Sequence, residues 1–290
     1  MNRVDRSTYR LFLLPMAVLL GLLLIPPAIY IIYLSFFSWG GSAITPPLFV
    51  GLKNYVKMVG DDRFWLGLLR TFYYSGTAVF LSVLIGYCFA LILNRKILGV
   101  KIFRSLVLLP MVSTPVAVAV TWVIMYNPLS GVFNWFLSLV GIPPQLWLSA
   151  KASVIPSIVF VDSWMGAPLV TVIMLAAFQA LSDEPIEAAH IDGASAWQRF
   201  RYIIFPMLKP YLISATTLRV IDSMKNFDLI YVMTGGGPGR ASETLNLYTF
   251  LNGFFYFEFG YSSVLAITLF LVIMGLSRIL AKWRERQWQY

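Results

Sequence analysis

Several long stretches of the chain carry no charged side chain, and this constrains the fold more than any other feature of the sequence. Each is about as long as, or longer than, the roughly 20 apolar residues that a helix needs to cross a bilayer. With 12% charged residues and a mean hydropathy of +0.76, the chain is too apolar for a soluble domain. We therefore expect an all-α integral membrane protein. Four of these stretches lie between Arg10 and Lys53, Arg70 and Arg95, Arg104 and Lys151, and Glu258 and Arg278.

The apolar segments predict six transmembrane helices in a single transmembrane domain over residues 1–290. Pro110 and Pro115 predict a kink in the third, since proline cannot donate the helical hydrogen bond. A short helix is expected over 129–140, at the outer surface. The six spans are approximately 11–36, 72–94, 105–126, 154–181, 210–233 and 260–281.

The basic residues are distributed unevenly about these spans. With a cytoplasmic N-terminus, fourteen of the 22 Lys and Arg residues fall in cytoplasmic segments and six in outer loops. This positive-inside bias places both termini and residues 182–209 in the cytoplasm. The predicted cytoplasmic cations are Arg3, Arg6, Arg10, Arg95, Lys96, Lys101, Arg104, Arg199, Arg201, Lys209, Arg278, Lys282, Arg284 and Arg286.

Residues 182–210 form a polar island between two strongly apolar segments. Ser182 is expected to cap a helix, with Asp183 and Glu184 in its first turn near the positive end of the helix dipole. Gly193 interrupts this helix, and apolar residues then recur at helical spacing over 197–204. We expect two short, exposed helices joined by a bend at Gly193.

The same island resembles the EAA signature of bacterial ATP-binding-cassette (ABC) importer permeases, although Phe205 stands where that family more often has Leu. The resemblance implies a type I ABC importer permease fold, in which this loop is a coupling helix that docks in a cleft of the ATPase subunit. The alternative is an amphipathic loop lying on the lipid headgroups. The matching residues are Glu187-Ala188-Ala189, Asp192-Gly193-Ala194, Phe200, Ile203, Pro206 and Pro210. The ATPase-coupling residues that the resemblance implies are Glu187, Ala188, Ala189, Asp192, Gly193 and Ala194.

Charged and polar residues interrupt the fourth and fifth spans. A carboxylate inside the bilayer is costly, so Asp162 is expected to face a water-filled cavity or a basic partner. On a continuous helix, the polar residues of the fifth span fall within half of the circumference, a face that cannot point at lipid. The spacing favours either local ion pairs or a polar wall of a translocation pathway. These residues are Arg219, Asp222, Lys225, Asn226 and Asp228.

Two further motifs resemble the carbohydrate-uptake subfamily of these permeases. The first is the pattern of Trp164, Gly166 and Pro168, which matches a region beside the sugar cavity of maltose-type permeases. The second is Asn226-Phe227 upstream of a Gly-Gly-Pro turn, which matches a region that lines the sugar site in the same subfamily. The sequence is equally consistent with two roles that involve no substrate, a structural ion pair at Asp162 and an interfacial anchor at Trp164. The expected substrate-pathway residues are Asp162, Trp164, Gly166, Asp222, Lys225, Asn226 and Phe227.

No catalytic or metal-binding residues are expected, because Cys88 and His190 are each the single residue of their kind. The chain is not expected to be an enzyme or to bind a cofactor or nucleic acid. The resemblance implies a subunit of a carbohydrate importer in the bacterial cytoplasmic membrane, surrounded by lipid. Its implied partners are a second, different permease, two ATPase subunits that hold ATP and Mg, an extracytoplasmic solute-binding protein and the sugar.

One other class of function is consistent with the intramembrane carboxylates. An ion-coupled secondary transporter of a polar solute needs coupling-ion ligands, which Asp162, Asp222 and Asp228 could supply, although no internal repeat is evident. For an importer, Trp164 and Asn226 fit a neutral oligosaccharide as the substrate. Arg219 and Lys225 are also consistent with an acidic sugar or a phosphorylated polyol.

Overall fold

The computed structural model describes residues 6–40, 45–95 and 98–287, and it is almost entirely helical. Arg3 and Lys96, two of the cations behind the predicted orientation, lie outside these ranges. The first elements are α1 (Arg6–Ser35), β1 (Phe37–Ser38), β2 (Leu48–Phe49), α2 (Lys53–Val59), α3 (Asp62–Leu93), α4 (Val100–Val112), α5 (Pro115–Met125) and α6 (Val132–Leu139). The others are α7 (Val154–Ala180), α8 (Glu184–Ile191), α9 (Ala196–Arg199), α10 (Phe205–Met224), α11 (Asp228–Thr234), α12 (Leu245–Phe250) and α13 (Phe259–Gln287).

In the described part of the chain, four helices are long and apolar enough to cross a bilayer, namely α1, α3, α7 and α13. α4 and α5 together form a fifth candidate, bent by 99°. The predicted kink in the third span is therefore confirmed, and Pro115 begins the second half because its missing N–H costs nothing in a first turn. The chain is an all-helical membrane protein with four or five candidate spans, apart from the short antiparallel pair β1–β2. The short helix expected over 129–140 is α6.

The expectation of one continuous helix over 210–233 is wrong. α10 ends at Met224 and α11 begins at Asp228, so residues 225–227 form a break. On the N-terminal side, α10 continues without interruption from α9 through a π-helical turn at Phe200–Ile204. The predicted common face therefore ends at the break, and Asp228 belongs to a separate helix.

Contacts divide the chain into two compact units, of which the second comprises residues 65–247 and 271–290 as far as they are described. α7 is central to this unit, and α4, α10 and α11 pack against it. Its core contains small and aliphatic side chains that let the helices approach closely. The fully buried members of this core are Ala90, Val170, Met174, Ala177, Leu208 and Ala215.

The first unit, residues 1–64 and 248–270 as far as described, contains a hydrogen-bonded cluster around Asp61. The Asp61 carboxylate accepts hydrogen bonds from the hydroxyls of Tyr248 and Tyr261, at 2.6 and 2.5 Å. Burial by itself raises the pKa of Asp61, but these bonds and the backbone N–H groups of Arg63 and Phe64 hold that pKa below its usual range. Burial, and then the hydrogen bond to Asp61, raises the pKa of Tyr248 to about 12. The cluster therefore pairs an ionised carboxylate with a protonated Tyr248 at neutral pH.

The contact between α3 and α7 provides a test of the packing in the second unit. A Cβ on Gly86 would lie 2.6 Å from the carbonyl oxygen of Ala167 and 2.6 Å from Cβ of Val170. We predict that Gly86→Ala lowers the free energy of unfolding by about 1–3 kcal/mol, because the backbone of α7 must move. Thermal unfolding of the purified protein in detergent measures this loss.

Gly76→Ala is the matched control, because a Cβ on this glycine of the same helix meets no atom within 4 Å. Alanine favours a helix over glycine by about 1 kcal/mol, so this variant should be neutral or more stable. Equal melting temperatures for the two variants would contradict the close approach of α3 to α7.

Candidate functional site

Residues 184–199 fold as two helices, α8 and α9, joined by a glycine turn as predicted. The second helix is longer than expected, because α9 continues into α10. α8 ends at Ile191, and Gly193 follows in the left-handed region with φ +78°. α9 then begins after Ser195, which forms a capping box: its Oγ accepts from the backbone N–H of Gln198, and Oε1 of Gln198 accepts from the N–H of Ser195. The N-terminus of α9 is thus capped, and the turn at Gly193 separates it from α8.

The start of α8 differs from the prediction. Its N-cap position is Asp183, not Ser182, and no side chain caps the helix by a hydrogen bond. The first turn instead contains a proline and the carboxylates of Glu184 and Glu187, which interact favourably with the helix dipole. The predicted Ser182 cap is therefore wrong by one position.

This helix pair is exposed to an unusual degree, and α8 contains no buried residue. Ile191 is 86% exposed, Tyr202 73% and Trp197 69%. Large apolar side chains exposed together are typical of a surface that a partner protein or the membrane covers. Of the predicted coupling residues, the exposed ones are Glu187, Ala188, Asp192 and Gly193, and the half-buried ones are Ala189 and Ala194.

Arg199 fixes the glycine turn from the second helix. Its Nη1 donates a hydrogen bond to the carbonyl oxygen of Ala194 at 2.6 Å and lies 3.1 Å from Nδ1 of His190. His190 thus contacts a guanidinium, and the part of the chain that the structure describes contains no group of three potential metal ligands.

A buried ion pair joins α7 to α10. Asp162 is 3% exposed and Arg219 is fully buried. Arg219 donates from Nη2 to Oδ2 of Asp162 and from Nη1 to Oδ2 of Asp222, both at 2.8 Å. Nζ of Lys225 lies 3.6 Å from Oδ1 of Asp222. The local ion pairs that the spacing favoured are present, and Arg219 is the basic partner expected for Asp162.

Gly166 makes room for this ion pair on α7. A Cβ at this position would overlap the guanidinium of Arg219. The absent side chain therefore lets the planar cation lie directly against the backbone of α7, four residues after the carboxylate that it binds. The Trp-x-Gly-x-Pro pattern thus has a packing explanation at its glycine.

Asn226 ties the break after α10 to two other helices. Its Nδ2 donates to the hydroxyl of Tyr74 on α3 and to Oδ1 of Asp162 on α7, each at 3.0 Å. Its Oδ1 accepts from the N–H of Leu229, at 3.4 Å, at the start of α11. Because both amide hydrogens and the oxygen have partners, Asn226 holds the backbone in place and has little capacity left for a ligand.

A cleft of about 600 Å³ opens beside this network. Its walls come from the bend between α4 and α5, from α7, from the end of α10 and from the break that follows. The predicted pathway residues that line it are Asp162, Gly166, Asp222, Lys225, Asn226 and Phe227. Polar groups thus converge on an otherwise apolar cavity, as in small-molecule sites.

Residues 78–288 match the family described as the binding-protein-dependent transport system inner membrane component. The chain belongs to this family. It is 37% identical to the probable ABC transporter permease protein y4oQ of Sinorhizobium fredii, over 98% of this chain and 91% of that protein. It is 40% identical to the trehalose/maltose transport system permease protein MalF of Thermococcus litoralis, over 81% of this chain and 79% of that protein.

A solved structure has the same fold. It is the bacterial ABC transporter involved in the import of the acidic polysaccharide alginate, at a TM-score of 0.82 and 21% identity, over 97% of this chain and 96% of that chain. The protein is thus an ABC permease subunit of the inner membrane, and such subunits carry no ATPase site.

Trp164 is the predicted pathway residue of this permease that does not line the cleft. It is 40% exposed, and its ring centroid lies 5.7 Å from that of Trp122 on α5. Residues two positions apart on a helix point about 200° apart, so Trp164 cannot share the direction of Asp162 or Gly166. Its substrate role stays a prediction.

Sequence reasoning missed two members of the polar network. Tyr74 lies in an apolar span among other aromatic residues, where nothing in the sequence distinguishes it. Ser223 donates to Oδ2 of Asp162 at 3.3 Å, and its place one residue after Asp222 was the signal available. The bend between α4 and α5 contributes Met111, Ser113 and Pro115 to the cleft. The predicted proline kink was the one sequence signal for this wall.

Removing one member of the buried ion pair should be far more costly than removing an exposed one. We predict that Arg219→Met destabilises the permease by about 3–5 kcal/mol, because Asp162 is left buried without its charge partner. Asp162→Asn in addition should recover much of this loss. Thermal unfolding in detergent measures both.

Lys225→Met is the control, because its side chain is 63% exposed and its ion pair is loose. Exposed pairs contribute about 1 kcal/mol or less. A loss for Arg219→Met no larger than for Lys225→Met would contradict the dominance of the buried pair.

The hydroxyl of Tyr74 should stabilise the break between α10 and α11. We predict that Tyr74→Phe costs about 1–2 kcal/mol, since one amide hydrogen of Asn226 loses its acceptor. Hydrogen–deuterium exchange should become faster at the backbone amides of residues 225–229. Tyr73→Phe, on the 51% exposed neighbour, should leave both stability and exchange unchanged, and the same exchange pattern in both variants would be evidence against this anchor.

Proposed function

We propose that this permease is one of two membrane subunits of an ATP-driven importer of carbohydrate. The observation that carries the proposal is the unbroken helical path from Ala196 to Met224. It begins in the exposed helix pair and ends at the wall of the cleft. At 1.5 Å per residue this path is about 43 Å long, so a displacement of one end is transmitted to the other.

The exposed helix pair is proposed to be the coupling element. Glu187, Ala188 and Ala189 on α8, with Asp192, Gly193 and Ala194 at the turn, would contact a cleft of an ATPase subunit. ATP and Mg would be held by two such ATPase partners. Closure of the ATPase pair would move the turn, and α10 would then change the access of the cleft from one side of the membrane to the other.

The topology proposed for this function has six spans in a single permease domain over 1–290, with both termini in the cytoplasm of a bacterium. The spans would be α1, α3, the bent pair α4–α5, α7, α10 with α11, and α13. The charged residues of the fifth span are paired or face the cleft, which supports its place in the membrane despite their cost. The positive-inside distribution of Lys and Arg supports the orientation.

The proposed substrate is an oligosaccharide or a related sugar. The cleft has hydrogen-bonding groups at Asp222 and Lys225, next to Phe227, a combination that suits hydroxyls and an apolar sugar face. The relative named for trehalose and maltose transport supports a sugar. A second, different permease would complete the pathway, and an extracytoplasmic solute-binding protein would deliver the sugar.

The ion-coupled secondary transporter is less well supported. Its coupling ion would need carboxylate oxygens that are free to bind it. Of the three candidate carboxylates, Asp162 has both oxygens engaged, by Arg219, Ser223 and Asn226, so Asp222 and Asp228 are left to bind such an ion. Membership of a binding-protein-dependent family also favours the importer.

The proposal is tested at the glycine turn. Alanine at Gly193 would adopt φ +78° only with strain of about 1–2 kcal/mol, which shifts the turn. We predict that Gly193→Ala and Glu187→Ala reduce sugar-stimulated ATPase activity of the reconstituted complex at least tenfold. Co-purification of the ATPase subunits should fall as well.

Gly99→Ala is the control for backbone strain alone. Gly99 has φ +82°, and a Cβ there, as at Gly193, meets nothing within 4 Å. It lies in the turn before α4, outside the proposed coupling element. If both glycine variants reduce stimulation equally, or neither does, the helix pair is not the coupling element.

A further inference from the structure

The positive charge deepest in the cleft is not accessible to a ligand. Arg219 has no exposed surface, its two terminal nitrogens each bind a carboxylate, and the backbone at Gly166 lies against its guanidinium. A ligand anion would therefore have to displace Asp162 or Asp222 to reach this cation.

The accessible charges of the cleft carry a net negative charge. Asp222 and Lys225 have side chains that are 54% and 63% exposed, and Asp228, also exposed, lines the cleft as well. Lys225 already interacts with Asp222 at 3.6 Å. The side chain of Asp228 forms no hydrogen bond or ion pair with any residue that the structure describes. Among the lining residues, the accessible charges are thus two carboxylates and one ammonium. Asp222 also binds the buried Arg219, so Asp228 is the carboxylate whose charge no described partner offsets.

From this distribution we propose that the cleft wall selects neutral, hydroxyl-rich sugars and disfavours uronates and sugar phosphates. A sugar hydroxyl donates to a carboxylate, so Asp222 and Asp228 bind it directly. A ligand carboxylate or phosphate has no hydrogen to donate and meets repulsion from both. The inference rests on the proposed carbohydrate function and narrows it to one charge class.

The test uses the whole complex without its solute-binding protein, so that the selectivity measured belongs to the membrane part. Calorimetry gives dissociation constants for two neutral disaccharides, maltose and trehalose, and for digalacturonate, an acidic one. We expect the wild type to bind at least one neutral sugar at least about tenfold more tightly than digalacturonate. A ratio of this order is what one unscreened pair of charges produces when a ligand charge lies close to a carboxylate of the cleft.

The variants identify the wall that is responsible. Asp228→Asn should reduce the preference for neutral sugar by about tenfold, because it removes one repulsive charge and keeps a polar side chain. Lys225→Gln should increase the preference. Asp62→Asn, which changes an exposed carboxylate outside the cleft, should leave the ratio unchanged.

Several results would overturn the inference: digalacturonate bound by the wild type as tightly as the neutral sugars, no sugar bound at all, or an unchanged ratio in Asp228→Asn. ATP-driven uptake into proteoliposomes with the solute-binding protein is measured in parallel for the same sugars. If ATP-driven uptake occurs but the binding preference for neutral sugar over digalacturonate is absent, only the charge selection is overturned. If no sugar is taken up in an ATP-driven manner, the proposed function is rejected as well.

Discussion

The second unit depends above all on the ion pair between Asp162 and Arg219. Neither charge reaches solvent, and a buried ion is tolerated only when its partners compensate the lost hydration. Here each ion has more than one partner, since Asp222 shares the guanidinium and Asn226 and Ser223 share the carboxylate. The pair therefore joins α7 to α10 and also specifies how the chain must turn where α10 ends.

The break after α10 follows from this requirement. A continuing helix would use the backbone amide of Leu229 internally, whereas at the break the side chain of Asn226 accepts from it. The same side chain reaches α3 through Tyr74 and α7 through Asp162, so three helices converge on one residue. The end of a long helix is thus held firmly while its other end remains exposed, an arrangement suited to transmitting movement between a partner and the cleft.

Local patterns predicted most of the helices because the length and apolarity of a span need no knowledge of neighbours. The fourth span, expected over 154–181, is α7 over Val154–Ala180. The glycine bend between α8 and α9 was predicted because a left-handed turn favours glycine wherever it occurs. The prediction of a continuous fifth helix was wrong for the opposite reason, since its break depends on neighbouring helices. Apolar residues resume after the polar stretch at 225–228, as in one interrupted span, but side chains from α3 and α7 stabilise a break there. The coupling roles of residues 187–194 stay predictions that the proposed ATPase test addresses.

The sequence by itself determined the class of the protein, the positions of most helices and the signature that places it among ABC permeases, because hydropathy, charge bias and short motifs are local properties. Only the tertiary structure decided which polar residues are structural and which are accessible. Arg219 and Lys225 read alike along the chain, yet one is enclosed by two carboxylates against Gly166 and the other faces the cleft. That difference depends on which helices pack together, and so it is the packing that determines the chemistry a ligand meets.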